Sequence, residues 1–325
     1  MYPVPYATVD QAVEMAVIAE RLGFDSVWGN DHVSTQSYVR SEFDQPPNFF
    51  DPLTYLAYVA ASTTTLRLAT GILVLPFRHP VITAKQIATL DRLSGGRVLL
   101  GVGVGAYREE YDAMFPGQPM HRGRQVDEFL EGLRLLYTER RASYSGQYIR
   151  FEDVESWPKP IQEPLPILSG GNSPGSLRRA ATLANGWLPA CLTPGEYAAG
   201  LHRIRELRVE AGATREAPFD AAMQMVVVIG GSHEAAVERF RSSQVYRHLN
   251  SLADSTMSGR LDDALEVRNL VGTVDDVSER IVAYINAGVQ TFAGLLFAAD
   301  TVEQTIDDMT QFSEDIIGPF TKGQQ

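Results

Sequence analysis

The sequence predicts a (β/α)8 barrel whose first strand is absent or truncated. The runs Leu66-Arg67-Leu68-Ala69-Thr70-Gly71-Ile72-Leu73-Val74-Leu75-Pro76 and Gly96-Arg97-Val98-Leu99-Leu100-Gly101-Val102-Gly103-Val104-Gly105 are nearly continuous in apolar residues and end in turn formers. That is the pattern of strands buried on both faces of a parallel sheet. Helical patterning separates these runs and keeps alternating with strand patterning along the chain, giving seven strand–helix units. Seven such units favour a closed parallel barrel over a six-stranded open sheet. No low-complexity segment or composition break marks a linker, so residues 1–325 read as one domain.

Each element has its own local signal. Thr8-Val9-Asp10-Gln11 reads as a capping box opening a helix with Ala12, Ala16, Ala19 and Leu22 on one face, ended by Gly23. A short strand at 24–29 follows, with Asp31-His32 beyond its C-terminal end. Asp51 as N-cap and Pro52 at the first position open a helix that runs to about Thr63. Strand 66–73, helix 81–93 and strand 97–103 come next. An insertion at about 106–164 then interrupts the alternation with a long helix at 122–137 and irregular Pro-rich chain such as Trp157-Pro158-Lys159-Pro160. Excursions of this length more often form a functional lid or wall than a passive connection.

Alternation resumes with strand 166–169, helix 174–184, strand 186–189, helix 194–211, strand 221–229 and a helix after Ser232. A polar insertion at 242–268 precedes helix 274–287, strand 291–297 and helix 302–316. Ahead of the first helix stand only Met1-Tyr2-Pro3-Val4-Pro5-Tyr6, whose two prolines exclude a central strand.

Composition bounds the function. A net charge of −12 and a pI near 5.0 repel a phosphate-coated polymer, so nucleic-acid binding is not expected. A single cysteine, Cys191, excludes an internal disulfide framework and a thiolate-rich metal site. The remaining histidines show no ligand spacing, and no metal is expected. No apolar stretch is long enough to span a bilayer and no leader pattern opens the chain, which reads as cytoplasmic with no membrane contact.

Parallel barrels carry their chemistry where the strands end, here just after Leu73 and Gly103. Ser169-Gly170-Gly171-Asn172-Ser173-Pro174 follows a strand and opens a helix, with Ser173 as N-cap. Its glycines and the positive helix end suit a phosphate, against the plainer reading of a glycine turn with an ordinary cap. Gly101-Val102-Gly103-Val104-Gly105-Ala106 fits a dinucleotide pattern, but the long helix and acidic strand end that the pattern needs do not follow. Small residues that let a flat ligand approach the strand end explain it equally well.

His32 is the one histidine at a strand end, and imidazole exchanges protons near neutrality. A satisfied structural histidine is the alternative. Glu109 and Glu110 point apart on a helix, so they are not a working carboxylate pair. Arg78 and His79, and the stretch from His121 to Arg124, place cations beside the expected pocket, where they also serve to balance an acidic chain. Trp28, Phe77 and Tyr107 are candidates for an apolar substrate wall, with Phe50 and Trp157 nearby.

Taken in order, these residues resemble the luciferase-like monooxygenase superfamily of flavin- and F420-dependent oxidoreductases. The matching segments are Ala19-Glu20-Arg21-Leu22-Gly23-Phe24-Asp25-Ser26-Val27-Trp28 with Asp31-His32, Thr70-Gly71-Ile72-Leu73 with Arg78-His79-Pro80, and Ala88 to Arg97. The Gly101–Gly105 run with Glu110, Gly170 to Ser173, Leu270 to Thr273 and Ala287-Gly288-Val289 extend the match over about residues 10–316. The ordered set is specific for the superfamily and much less so for cofactor or substrate.

The resemblance implies a non-prolyl cis peptide at Gly71-Ile72 against the cofactor ring. It implies Gly103, Val104 and Ala106 along the cofactor with Glu110 bracing that loop, and Gly170, Gly171, Asn172 and Ser173 at the cofactor phosphate. Asp31 and His32 would border the ring, with His32 as the catalytic acid/base. Members that oxidise sugar phosphates carry a glutamate where this chain has Ala106, which disfavours that reaction.

The expected function is hydride transfer between reduced coenzyme F420 and a small organic substrate. An FMNH2-dependent two-component monooxygenase, supplied by a separate flavin reductase, is the alternative. A non-catalytic flavin-binding barrel and a nicotinamide dehydrogenase are further ones. The family also implies a homodimer.

Overall fold

The computed structural model describes residues 6–42, 46–119, 121–212, 218–252 and 264–322. Its strands are β1 (Ser26–Gly29), β2 (Arg67–Val74), β3 (Val98–Gly103), β4 (Ala142–Ser145), β5 (Arg150–Val154), β6 (Ile167–Gly170), β7 (Gly186–Leu188), β8 (Asp220–Ile229), β9 (Leu270–Gly272) and β10 (Thr291–Phe297). The seven expected strands form one curled sheet in the order β1-β2-β3-β6-β7-β8-β10, paired in parallel throughout. Parallel neighbours require a crossover, and helices supply these crossovers at the expected places.

Among the described residues no ladder joins the two ends of the sheet, and β1 and β10 face one another across that seam. The proline-bearing residues 1–5, which sequence reading excludes from a central strand, lie outside the described residues. Just after them the Tyr6 hydroxyl donates to the Ala299 carbonyl at 2.6 Å, beside the C-terminal end of β10.

Two elements depart from expectation. The insertion at 106–164 is not irregular between its helix and its prolines: β4 and β5 form an antiparallel hairpin there, held by Glu128 accepting from the Gln147, Tyr148 and Ile149 backbone N–H groups. The second is β9, three residues pairing the end of β8 from Val227↔Leu270 to Ile229↔Gly272. Three residues are too few for a periodic signal. Within the other insertion the structure shows a helix, Gln244–Ser251, while residues 253–263 lie outside the described residues.

Two apolar layers result from the period-two alternation of the strands. Inward residues Trp28, Ala69, Leu99, Leu168, Leu188, Ala222 and Ala293 fill the barrel. Outward residues such as Val27, Leu68, Leu100 and Val227 meet the apolar faces of the helices, including Ala12, Ala16 and Ala19 of Val9–Arg21. The place of Trp28 corrects an expectation: fully buried, its Nε1 donating to Ser26 Oγ at 2.9 Å, it is a core residue and not a substrate wall. A strand of four residues buried on both faces leaves its largest side chain no route to the mouth.

The turn into β2 is fastened by one carboxylate. Glu20 Oε1 accepts from the Thr64, Thr65 and Leu66 N–H groups at 2.9, 2.6 and 2.9 Å and from the Thr65 hydroxyl. Partial desolvation raises its pKa, but these donors outweigh that and hold it down at about 2. A lowered carboxylate pKa gives stability that is complete above the unfolded value near 4.5 and is lost as pH falls to about 2. Replacing Glu20 with Gln is expected to flatten that part of the acid unfolding curve and to leave stability at pH 7 to 8 lowered by a pH-independent amount. Equal acid slopes in both proteins would refute it.

Candidate active site

The loop after β1 carries two of the expected site residues, and the structure gives them different work. Asp31 is buried; its Oδ2 accepts from the Val74 N–H at 2.9 Å and Arg78 Nε at 3.1 Å, and its Oδ1 from Arg78 NH2 at 2.8 Å. Arg78 also reaches Asp51 at 3.1 Å. Both oxygens of Asp31 are therefore committed to fastening the end of β2 to β1. Asp31 lies in the cavity wall, but it is a brace and not a cofactor-facing carboxylate.

His32, the next residue, faces a gripping helix. On Arg108–Met114, adjacent glutamates point apart as their spacing requires and both reach the same loop. Glu109 accepts from the Ser37 N–H at 2.9 Å, while buried Glu110 accepts from the Val33 N–H at 3.1 Å and meets His32 Nδ1 at 3.3 Å. The expectation that Glu110 braces its own strand-end loop is corrected: it orients the histidine across the mouth.

The Gln36 side-chain amide also lies 2.6 Å from Nδ1. A carboxylate is the stronger partner, so the proton sits on Nδ1. A half-turn of the Gln36 amide then gives that proton a second acceptor, Gln36 Oε1, which is otherwise buried without a partner. Nε2 is left on the cavity side.

Beneath His32 the floor is the kink in β2. The Gly71-Ile72 peptide is cis, as the resemblance implies, and the β2–β3 register shifts between Thr70 and Leu73. Ile72 is seated between two glycines. A Cβ on Gly103 would fall 2.4 Å from Ile72 Cδ1, and one on Gly170 would fall 2.6 Å from its Cγ2. Gly103 therefore supports the floor from behind without lining the cavity. Phe77 also leaves the list of pocket residues, packing with Val74 and Tyr111 in a small buried cluster.

Above this floor lies a cavity of about 570 Å³ lined by His32, Gly71, Ile72, Val104, Ala106, Tyr107 and Glu110, and across the mouth by Gly170, Gly171, Asn172 and Ser173. At that far side the side chains are spoken for. Asn172 Nδ2 donates to the Ala190 carbonyl at 2.8 Å and its Oδ1 accepts from the Ala190 N–H at 3.2 Å, tying the turn to the end of β7. Ser173 caps Pro174–Thr182 by accepting from the Ser176 N–H. Gly171, at φ +102°, makes the turn that brings this helix end to the cavity.

Arg122 lines the cavity as well. The hydrogen bond the structure records for it is to the Gly105 carbonyl at 2.8 Å, and among the described residues no carboxylate pairs with it. Desolvation, then the nearby Arg108, disfavour its charge. Asp112 partly offsets this without touching the guanidinium, so a cation lining the cavity with no carboxylate in contact among the described residues is suited to an anionic group.

Sequence reading missed His248, on Gln244–Ser251 in the second insertion. Its Nδ1 lies 2.8 Å from the Tyr38 hydroxyl and 3.2 Å from that of Tyr107. Ser251 Oγ donates to the His248 carbonyl at 2.7 Å, so it accepts from Tyr107 at 2.9 Å. The Tyr38 and Tyr107 hydroxyls thus hold the His248 ring at Nδ1. Desolvation, with a contribution from His32, pushes the His248 pKa down to about 4, keeping the ring neutral. Nothing in a lone histidine within a polar helix announces this; only the fold brings it to the mouth. No group of metal-ligating side chains is found among the described residues.

A family model described as luciferase-like monooxygenase matches residues 2–291. The chain belongs to the luciferase-like monooxygenase family. Among the relatives of this luciferase-like chain is an F420-dependent glucose-6-phosphate dehydrogenase of Kineococcus radiotolerans, 26% identical over 321 residues, covering 94% of this chain and 91% of that one. An FMNH2-dependent dimethylsulfone monooxygenase of Pseudomonas putida is 27% identical over 323 residues, covering 91% and 85%. The monooxygenase RslO1 from Streptomyces bottropensis superposes with a TM-score of 0.79 at 25% identity, covering 98% of each chain. The family is thus one of flavin- and deazaflavin-dependent oxidoreductases, and both cofactors occur among its relatives. No helix among the described residues is long and apolar enough to cross a membrane.

Proposed function

We propose that this chain transfers a hydride between coenzyme F420 and a small organic substrate. The observation that carries the reading is His32, met at Nδ1 by Glu110 and lining one cavity with the Gly71-Ile72 peptide. When bound, the reduced deazaflavin would supply a hydride, and its oxidised form would take one up in the reverse direction. His32 passes the accompanying proton to the substrate oxygen, or takes it from a hydroxyl as the adjacent C–H bond is oxidised. Ile72 and Gly71 would carry the ring, and Val104 and Ala106 would flank it. Arg122 and the backbone of the turn from Gly171 to Ser173 would hold its phosphate. The residues fit such a group, because the unpaired cation and the helix end meet at one side of a cavity of ordinary cofactor size. Ala106, where sugar-phosphate oxidisers carry a glutamate, supports a substrate other than a sugar phosphate.

The second reading is an FMNH2-dependent monooxygenase fed by a separate reductase, favoured by a relative of near-equal identity and coverage. Titration with F420 and FMN, each oxidised and reduced, separates the two. F420 is expected to bind more tightly, and Arg122→Ala is expected to weaken the preferred cofactor by roughly 10- to 100-fold, the loss of one charge-assisted contact. Tight FMN binding with negligible F420 binding overturns the preference. An unchanged affinity in Arg122→Ala overturns the phosphate assignment.

A further inference from the structure

A second chamber of about 140 Å³ opens beside the main cavity and shares His32, His248 and Gly71 with it. Phe49, Val245, Phe297 and Ala299 give it apolar walls, and the Gln224 and Gln244 amides give it polar ones. Among the described residues no Asp, Glu, Lys or Arg lines it. Behind its wall Asp300 and Asp308 act on Tyr6, and the nearby cation, Arg239, is committed to Asp308 and to the Ala298 carbonyl. Arg122 serves the main cavity alone.

A carboxylate or phosphate entering this chamber would lose its hydration and meet no Lys or Arg among the described residues, whereas a neutral molecule meets no such penalty. His248, held at Nδ1 by the Tyr38 and Tyr107 hydroxyls, stands where the chamber meets the main cavity and lines both with His32. We infer, on the hydride-transfer reading above, that this chamber takes the substrate. That substrate is an uncharged molecule of about six heavy atoms, the size of guest a ~150 Å³ cavity accommodates. It carries a carbonyl or hydroxyl oxygen, and His248 holds that oxygen opposite His32.

Pentan-2-one and butanoate match in size, about six heavy atoms each, and differ in charge, and calorimetric titration of the cofactor-loaded protein with each tests the assignment. The ketone is expected to bind, and the carboxylate about 100-fold more weakly. Val245→Trp, which fills the chamber, is expected to remove ketone binding while cofactor affinity persists. His248→Phe is expected to weaken the ketone about tenfold, and His248→Gln, which keeps an N–H donor, to recover most of that. A ketone that fails to bind, a carboxylate that binds as tightly, or ketone affinity unchanged in both Val245→Trp and His248→Phe overturns the inference. Failure of both cofactors to bind overturns the cofactor reading instead; ketone binding to the unloaded chain with the same dependence on Val245 and His248 still sustains the chamber.

Discussion

Replacing Asp31 with alanine is expected to lower folding stability by about 3–5 kcal/mol, the loss seen when one partner of a buried ion pair is removed. The Asp31 and Arg78 side chains are 2% and 14% exposed, so solvent does little to replace the missing carboxylate. The Val74 N–H loses its acceptor at the same time. Arg78 retains Asp51, which is 45% exposed and recovers only part of the interaction. Denaturant unfolding should show a lower midpoint at unchanged slope. Asp31→Ala combined with Arg78→Met should lose less than the sum of the single changes, because the double variant leaves no charge stranded. A stability within about 1 kcal/mol of the parent would show that the pair contributes no more than a surface bridge does.

That expectation differs from the one the sequence alone supports for Asp31, and the difference shows where sequence reading ends. The sheet was legible because a strand buried on both faces must be largely apolar: β3 meets that condition at every residue, and β2 and β8 at most of theirs. β9 was not legible, since Leu270–Gly272 is shorter than any period it could display. The cavity was legible where strand ends carry glycines and caps: Gly71, Gly170, Gly171 and Ser173 all line it.

Roles were less so, because a residue type at a strand end does not say which neighbour claims it. Asp31 is claimed by Arg78, the Asn172 side chain by Ala190, and Trp28 and Phe77 by the core. His248 reaches the mouth through a helix in an insertion, a position that no local pattern connects to His32.

Replacing His32 with alanine is expected to reduce kcat by about 10²–10⁴-fold, the range supplied by a positioned general acid or base. Cofactor affinity should hold, because the residues proposed to hold the phosphate, Arg122 and the turn from Gly171 to Ser173, line the cavity from other elements. Glu110→Gln should cost less. Its amide has a single oxygen, so it can accept from Nδ1–H or from the Val33 N–H but not from both, contacts that Glu110 makes through separate oxygens. Full turnover in His32→Ala on a competent substrate would leave His32 a structural residue of the mouth. The proton would then have to travel by another group, and neutral His248 would be the nearest candidate to examine.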